Sequence, residues 1–273
     1  MRHRLHIVFL SIAVLFGGLG SSTARTWYVA ADGSGDAPTI AAAVDSTLSG
    51  DVILVGPGTH AVQSAIGSSV SLKPNTSLVS EFGPTATVLV AATGPLQPGL
   101  ITARDNCVVS GFTLVGGQSS SLFCGGDNVE AFNNIIHGRV RIGGTARIHH
   151  NLVDLPGAGS AAILILSAVP IQIYNNIVLG EVTAFTPLCL FDVFVTCNLI
   201  QEPLGCFTAY LNFNADPLFC GAGNYYLRAD SPCAPGNHPD GFDCGLIGPL
   251  PVGCGTVSVQ TKSWGAVKAL YKK

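Results

Sequence analysis

Between residues 129 and 200, apolar and polar side chains alternate in four short runs, each followed by an asparagine and two aliphatic residues. The runs read V-E-A-F-N-N-I-I from 129, A-R-I-H-H-N-L-V from 146, I-Q-I-Y-N-N-I-V from 171 and V-F-V-T-C-N-L-I from 193. A period of two predicts strands, with Val129/Ala131, Ala146/Ile148, Ile171/Ile173 and Val193/Val195 on one side. Glu130/Phe132, Arg147/His149, Gln172/Tyr174 and Phe194/Thr196 fall on the other. The shared asparagines, Asn134, Asn151, Asn176 and Asn198, recur at intervals of 17, 25 and 22, a spacing typical of stacked supersecondary units. A four-residue strand cannot bury its apolar side alone, but coils about 4.8 Å apart merge such sides into one column. Asparagine suits the corner after each strand because it tolerates the left-handed region, and stacked asparagines can bond one another up the column.

The same pattern extends in both directions. Residues 38–48 predict an amphipathic helix, with Pro38 at its first position and Ile40, Ala43, Val44 and Leu48 on one face, capping the lower end of the stack. Residues 51–55 read as the first coil strand, ended by Gly56-Pro57-Gly58. Further strands are expected at 70–72, 76–80, 86–90, 100–103, 108–110 and 112–115, with Gly111 at the corner that Asn134 takes one coil later. Residues 1–24 carry Arg2 and Arg4, an apolar stretch over 7–16 and Ser22-Thr23-Ala24, the pattern of a secretory leader cleaved near Ala24. The apolar stretch is shorter than the ~20 residues of a membrane span. Residues 25–255 then form one β domain and 256–273 a tail. In that tail Trp264, Val267 and Leu270/Tyr271 sit at helical spacing, as a short docking helix or a sorting and attachment segment.

Charge narrows the partners. Without Arg2 and Arg4 the 13 Lys+Arg fall to 11 against 16 acids, which argues against nucleic acid or an anionic membrane. Nine cysteines in an exported chain point to disulfides and one leftover thiol. Cys233 and Cys244 bracket a turn-rich loop, and Cys197 and Cys220, one coil apart, are placed to staple neighbouring turns. No cysteine spacing fits a zinc site, so no metal is expected there.

The repeats resemble those of right-handed parallel β-helix proteins of the pectate-lyase-like superfamily, whose coils carry asparagine at this turn; the right hand is what the resemblance implies. The opening residues Asp32-Gly-Ser-Gly35, Thr39-Ile-Ala-Ala-Ala-Val44 and Pro57-Gly-Thr-His60 are similar to the start of pectin methylesterases and many bacterial β-helix proteins. Asp216-Pro-Leu-Phe219, Ser231-Pro-Cys233 and Asp243-Cys-Gly-Leu-Ile-Gly248 resemble the last coil of secreted bacterial members, which implies a covered upper edge. The expected fold is therefore all-β: a single-stranded solenoid with an N-terminal capping helix and a short C-terminal tail.

Enzymes of that superfamily gather carboxylates, as Ca²⁺ ligands or as acid and base, beside an arginine. Here the only glutamates are 81, 130, 181 and 202, none with an aspartate at i+2, and Thr59-His60 lacks the acidic residue of the methylesterases. The resemblance brings the fold without its catalytic residues. It implies a secreted or surface-displayed, non-catalytic protein, monomeric and without cofactor, that binds a polysaccharide or cell-surface partner. Arg139, Arg141 and His149, with Asp127, are the candidate glycan-binding residues. Against them stands a structural use: Glu130 paired with Arg147, Phe132, His149 and Tyr174 stacked outward, and His150 filling an asparagine's place in the turn. The alternative is a carbohydrate-active lyase or hydrolase built on Arg104, Asp105 and Asp127, with Ca²⁺ if a lyase.

Overall fold

The computed structural model describes residues 23–62, 69–91, 99–117, 119–155, 161–184, 190–205 and 207–254. Nearly all of the expected leader and the whole of the tail lie outside them. The chain winds as a parallel β-helix, and residues 129–145 make one coil of it. Val129–Phe132 lies on the first face, Ile135–His137 on the second and Val140–Ile142 on the third. Each pairs in parallel with the coil above, Glu130 opposite Arg147, Ile135 opposite Leu152 and Val140 opposite Ile163. Stacking gives the first face nine strands, from Thr26–Val29 to Phe207–Tyr210. The second and third faces form one twelve-stranded sheet because Ile177–Ala184 runs from one to the other, pairing first with Leu152–Asp154 and then with Ala161–Ile165. The inward side chains of every coil, such as Val129, Ala131, Ile136, Val140 and Ile142, join a single buried core.

The corner between the first and second faces takes two residues with separate tasks. Positive φ falls on Asn133, His150, Asn175, Cys197 and Leu211, each one residue before a ladder asparagine. Gly111 therefore aligns with Asn133 rather than Asn134, as the pairing of Val109 with Ala131 requires. The next residue supplies an amide. Asn134 donates from Nδ2 to Oδ1 of Asn151, Asn151 likewise to Asn176, and Asn176 to Asn198, each at 3.0 Å. Asn198 continues the series to Asn212 at 2.9 Å, a fifth rung that the alternation does not single out. The backbone N–H of each of Asn134, Asn151, Asn176 and Asn198 also donates to the Oδ1 above, so one amide oxygen closes two donors. The four repeat asparagines are wholly buried.

The aliphatic pair after each asparagine divides between two environments. Ile136, Val153, Val178 and Ile200 point into the core. Ile135, Leu152, Ile177 and Leu199 point outward, where they are buried by Leu227, Cys233, Ile247 and Leu250. The closing segment, with its antiparallel hairpin Phe219–Gly221 and Asn224–Leu227, thus folds back along the flank of the stack, and its His238 reaches the top coil, with Nε2 3.1 Å from Leu211 O. That docking decides the disulfides. Gly248 N–H donates to Asn175 O at 2.8 Å and Asn175 Nδ2 to Cys244 O at 2.9 Å, which brings Cys244 beside the Cys197 corner. Among the described cysteines the bonds are Cys197–Cys244 and Cys220–Cys254, not Cys233–Cys244 and Cys197–Cys220. Cys233 is a buried thiol beneath the cover, and Cys107 and Cys124 are buried thiols in the core, so three described cysteines are free where one was expected. Burial pushes the Cys124 and Cys233 thiols up to about 12. Cys189 and Cys206 lie outside the described residues.

At the lower end the helix is Ile40–Ser46, shorter than the pattern suggests. Thr39 is its N-cap, accepting from Ala42 N–H at 3.1 Å, so Pro38 stands before the helix and not inside it. Ile40, Ala43 and Val44 enter the core, while Leu48, beyond the helix, is exposed. Lys73 caps the other terminus, donating to Asp45 O and Thr47 O at 2.7 and 2.9 Å.

Candidate functional site

The residues singled out for glycan binding do not meet. Arg139 and Arg141 belong to the third face and His149 to the first, while Asp127 sits in the turn between those faces one coil lower. Each is engaged where it stands. Arg139 Nε donates to Ala161 O at 2.8 Å, and the Arg141 guanidinium lies 5.3 Å from the centre of the Phe123 ring. Asp127 Oδ1 accepts from Thr145 N–H at 3.1 Å.

The alternative set fares similarly. Arg104 Nε donates to Ser71 Oγ at 3.0 Å, and Asp105 Oδ1 accepts from Asp127 N–H at 2.9 Å. These two carboxylates bind backbone amides of the next coil up, a turn-building task. Beside them runs a second, exposed asparagine ladder. Asn128 Nδ2 donates to Asn106 Oδ1 and Asn106 Nδ2 to Asn75 Oδ1, both at 2.9 Å, and all three residues have positive φ. Among the described residues no group of three or more His, Cys, Asp or Glu is placed to hold a metal ion.

The densest chemistry lies on the outer side of the first face. His149 stacks between Phe132 and Tyr174, with ring centres 5.1 and 4.8 Å away and planes within 4° and 11° of its own. In the neighbouring column Glu130 Oε1 lies 3.1 Å from Arg147 Nη2 and 3.2 Å from His149 Nε2. His149 Nδ1 is 2.9 Å from His150 Nδ1, and His150 Nε2 is 3.3 Å from Asn175 Nδ2. The network assigns the tautomers. Asn175 Nδ2 donates to Cys244 O and to His150 Nε2, so His150 carries its proton on Nδ1 and donates to His149 Nδ1. His149 then carries its own proton on Nε2 and donates to Glu130.

Comparisons with family models, with curated proteins and with solved structures found no match for this chain. The site is therefore read from its own geometry. A further proton on His149 would set two N–H groups against each other across the 2.9 Å contact. Burial lowers the affinity of both histidines for that proton; Glu130 pulls His149 back towards the charged form without prevailing, and His149 itself disfavours charge on His150. Folded-state values below the ordinary 6.5 mean that the unfolded chain binds more protons. The stability these rings contribute is complete above 6.5 and is lost as pH falls below it. The thermal midpoint is expected to drop between pH 7.5 and 5, and less so in His149→Phe/His150→Asn, which keeps a stacked ring and places asparagine at a positive-φ corner. Equal slopes in the two proteins would place the acid sensitivity elsewhere.

Two depressions open beside this stack. One, of about 300 Å³, lies over Thr145, Arg147, Gln172, Asp192 and Phe194. The other, of about 450 Å³, lies below Phe132 and Glu130, over Ser77, Val79, Val108 and Ser110. Alternation alone could not find it, because its floor consists of small residues that carry no chemical signal of their own.

Proposed function

We propose that this protein is an exported, non-catalytic β-helix of the pectate-lyase-like type that binds glycans along the outer side of its first face, outside the cell or at its surface. The observation carrying this reading is the use made of the carboxylates. Asp105 and Asp127 are bonded to backbone amides, and Glu130 is tied to Arg147 and His149, so none of these three stands ready as a base. The face itself is long, regular and fixed by the ladder behind it, which suits an extended polymer better than a small metabolite. Two disulfides are compatible with an oxidising compartment. No described helix is long and apolar enough to cross a membrane.

One observation favours the enzyme reading: Asp105 and Asp127 do superpose in successive coils, as a Ca²⁺-dependent lyase would need. The two separate in one experiment. A panel of neutral and acidic polysaccharides is incubated with the protein with and without Ca²⁺, following unsaturated-uronide absorbance and reducing ends, and the same polymers are cast into native gels. Retarded migration without product is expected. Product formation that disappears in Asp127→Ala would replace this reading with the enzymatic one.

A further inference from the structure

The aromatic stack on the first face is one plate short. Tyr174, His149 and Phe132 stand in register on successive coils, and the next position down the same column is Ser110, followed by Val79. One side of the Phe132 ring is covered by His149 at 5.1 Å. The other looks down the column, where the short hydroxymethyl side chain of Ser110 leaves the 450 Å³ groove. We propose that this slot, under the free side of Phe132 and over Ser110, binds a neutral pyranose unit of a glycan, which takes the place of the missing ring. The proposal rests on the glycan-binding reading above and names its ligand class.

The chemistry of the lining selects the occupant. Sugar C–H groups carry slight positive charge and meet the electron-rich side of an aromatic ring favourably. His149 is covered on both sides and Tyr174, at the upper end, has Thr196 next in its column; Phe132 is the terminal ring that borders the groove. Hydroxyl partners are at hand. Ser77 and Ser110 make no side-chain hydrogen bond to the described protein, and Asn133 stands exposed at the rim. Glu130 receives Arg147 and His149 on Oε1, which leaves Oε2 to accept from a sugar hydroxyl. Glu130 is also the one ionisable residue among those lining the groove, and its cationic partner Arg147, held on Oε1, is outside that lining and already matched by it. A uronate or a phosphate would meet that carboxylate and find nothing to balance its own charge. A neutral ring finds donors, acceptors and an apolar wall, the usual make-up of a small-molecule site. The far wall is Pro249, held by the bond from Gly248 N–H to Asn175 O, so the closing segment shapes the slot.

The test uses the full mature chain, with soluble xyloglucan, galactomannan and mixed-linkage β-glucan as neutral probes and polygalacturonate as the acidic one, in affinity electrophoresis and calorimetry. Ser110→Phe inserts the missing ring, and Phe132→Leu removes the wall while keeping an apolar outward residue. The wild type is expected to bind at least one neutral polymer. Ser110→Phe is expected to melt at or above the wild-type temperature and bind at least tenfold more weakly, and Phe132→Leu to lose affinity to a similar degree. Neutral binding undiminished in both folded variants overturns the slot and leaves the glycan-binding face standing. Binding of polygalacturonate alone overturns the neutral class while the face again survives. Binding of no polysaccharide overturns both.

Discussion

Replacing Asn176 with alanine is expected to cost about 4 kcal/mol of unfolding free energy, among the largest single effects in the protein. The side chain donates from Nδ2 to Ile148 O at 2.8 Å, to Tyr174 O at 2.9 Å and to Asn198 Oδ1 at 3.0 Å. Its oxygen accepts from both the backbone and the side chain of Asn151. Alanine would strand donors and acceptors in a site that water does not reach, each worth about 1–3 kcal/mol if left unpaired. The Asn151 side-chain amide would keep Ala131 O and His149 O, so the loss falls on the Asn151 backbone N–H and on the carbonyls of Ile148 and Tyr174. Asn212→Ala removes the half-buried top rung, whose neighbours can be solvated, and is expected to cost no more than about 1–2 kcal/mol. Denaturant unfolding of the two variants measures the contrast. Equal losses would mean that the column does not act through buried amides.

Much of this architecture is legible in the sequence, and the reason lies in what alternation can sense. A period of two separates Val129 and Ala131 from Glu130 and Phe132 without knowledge of the fold, and the structure places the first pair in the core and the second outside. It does not sense the cross-section of a coil. Arg139, Arg141 and His149 each face outward, but from different sides of a three-sided stack, so a shared polarity did not become a shared site. The corner was misread by one residue because Asn133 and Asn134 are the same amino acid with different tasks, one bending the backbone and one bonding the column. His150, in the place of Asn133 one coil up, is what separates the two roles. The outer ladder was missed although Pro74-Asn75, Asp105-Asn106 and Asp127-Asn128 announce it, since turn residues carry no periodicity. The strand Ser120–Cys124 escaped for a related reason: a run of serines beside cysteine carries little β preference, and its neighbours on either side impose the conformation.

The second large effect concerns the flank, and it also had a signal. Two aliphatic residues in succession, repeated four times, cannot both face inward on a strand, so one of each pair must find a cover. The cover is held by Cys197–Cys244, which closes a loop with a sequence separation of 47 and so should contribute about 4 kcal/mol by restricting the unfolded chain. Cys197→Ala/Cys244→Ala is expected to lose about 2–4 kcal/mol, and its damage should be local. The segment from 228 to 254 would open first and expose Ile135, Leu152, Ile177 and Leu199, while the amide column and the core behind it stay wound. Limited proteolysis should therefore cut that segment before any coil, and dye binding to apolar surface should rise with little change in far-ultraviolet dichroism. Because Pro249 walls the groove below Phe132, the same variant should also weaken glycan binding there. If the variant keeps the wild-type melting temperature and resists protease, the flank is held by packing alone, and the disulfide is incidental to it.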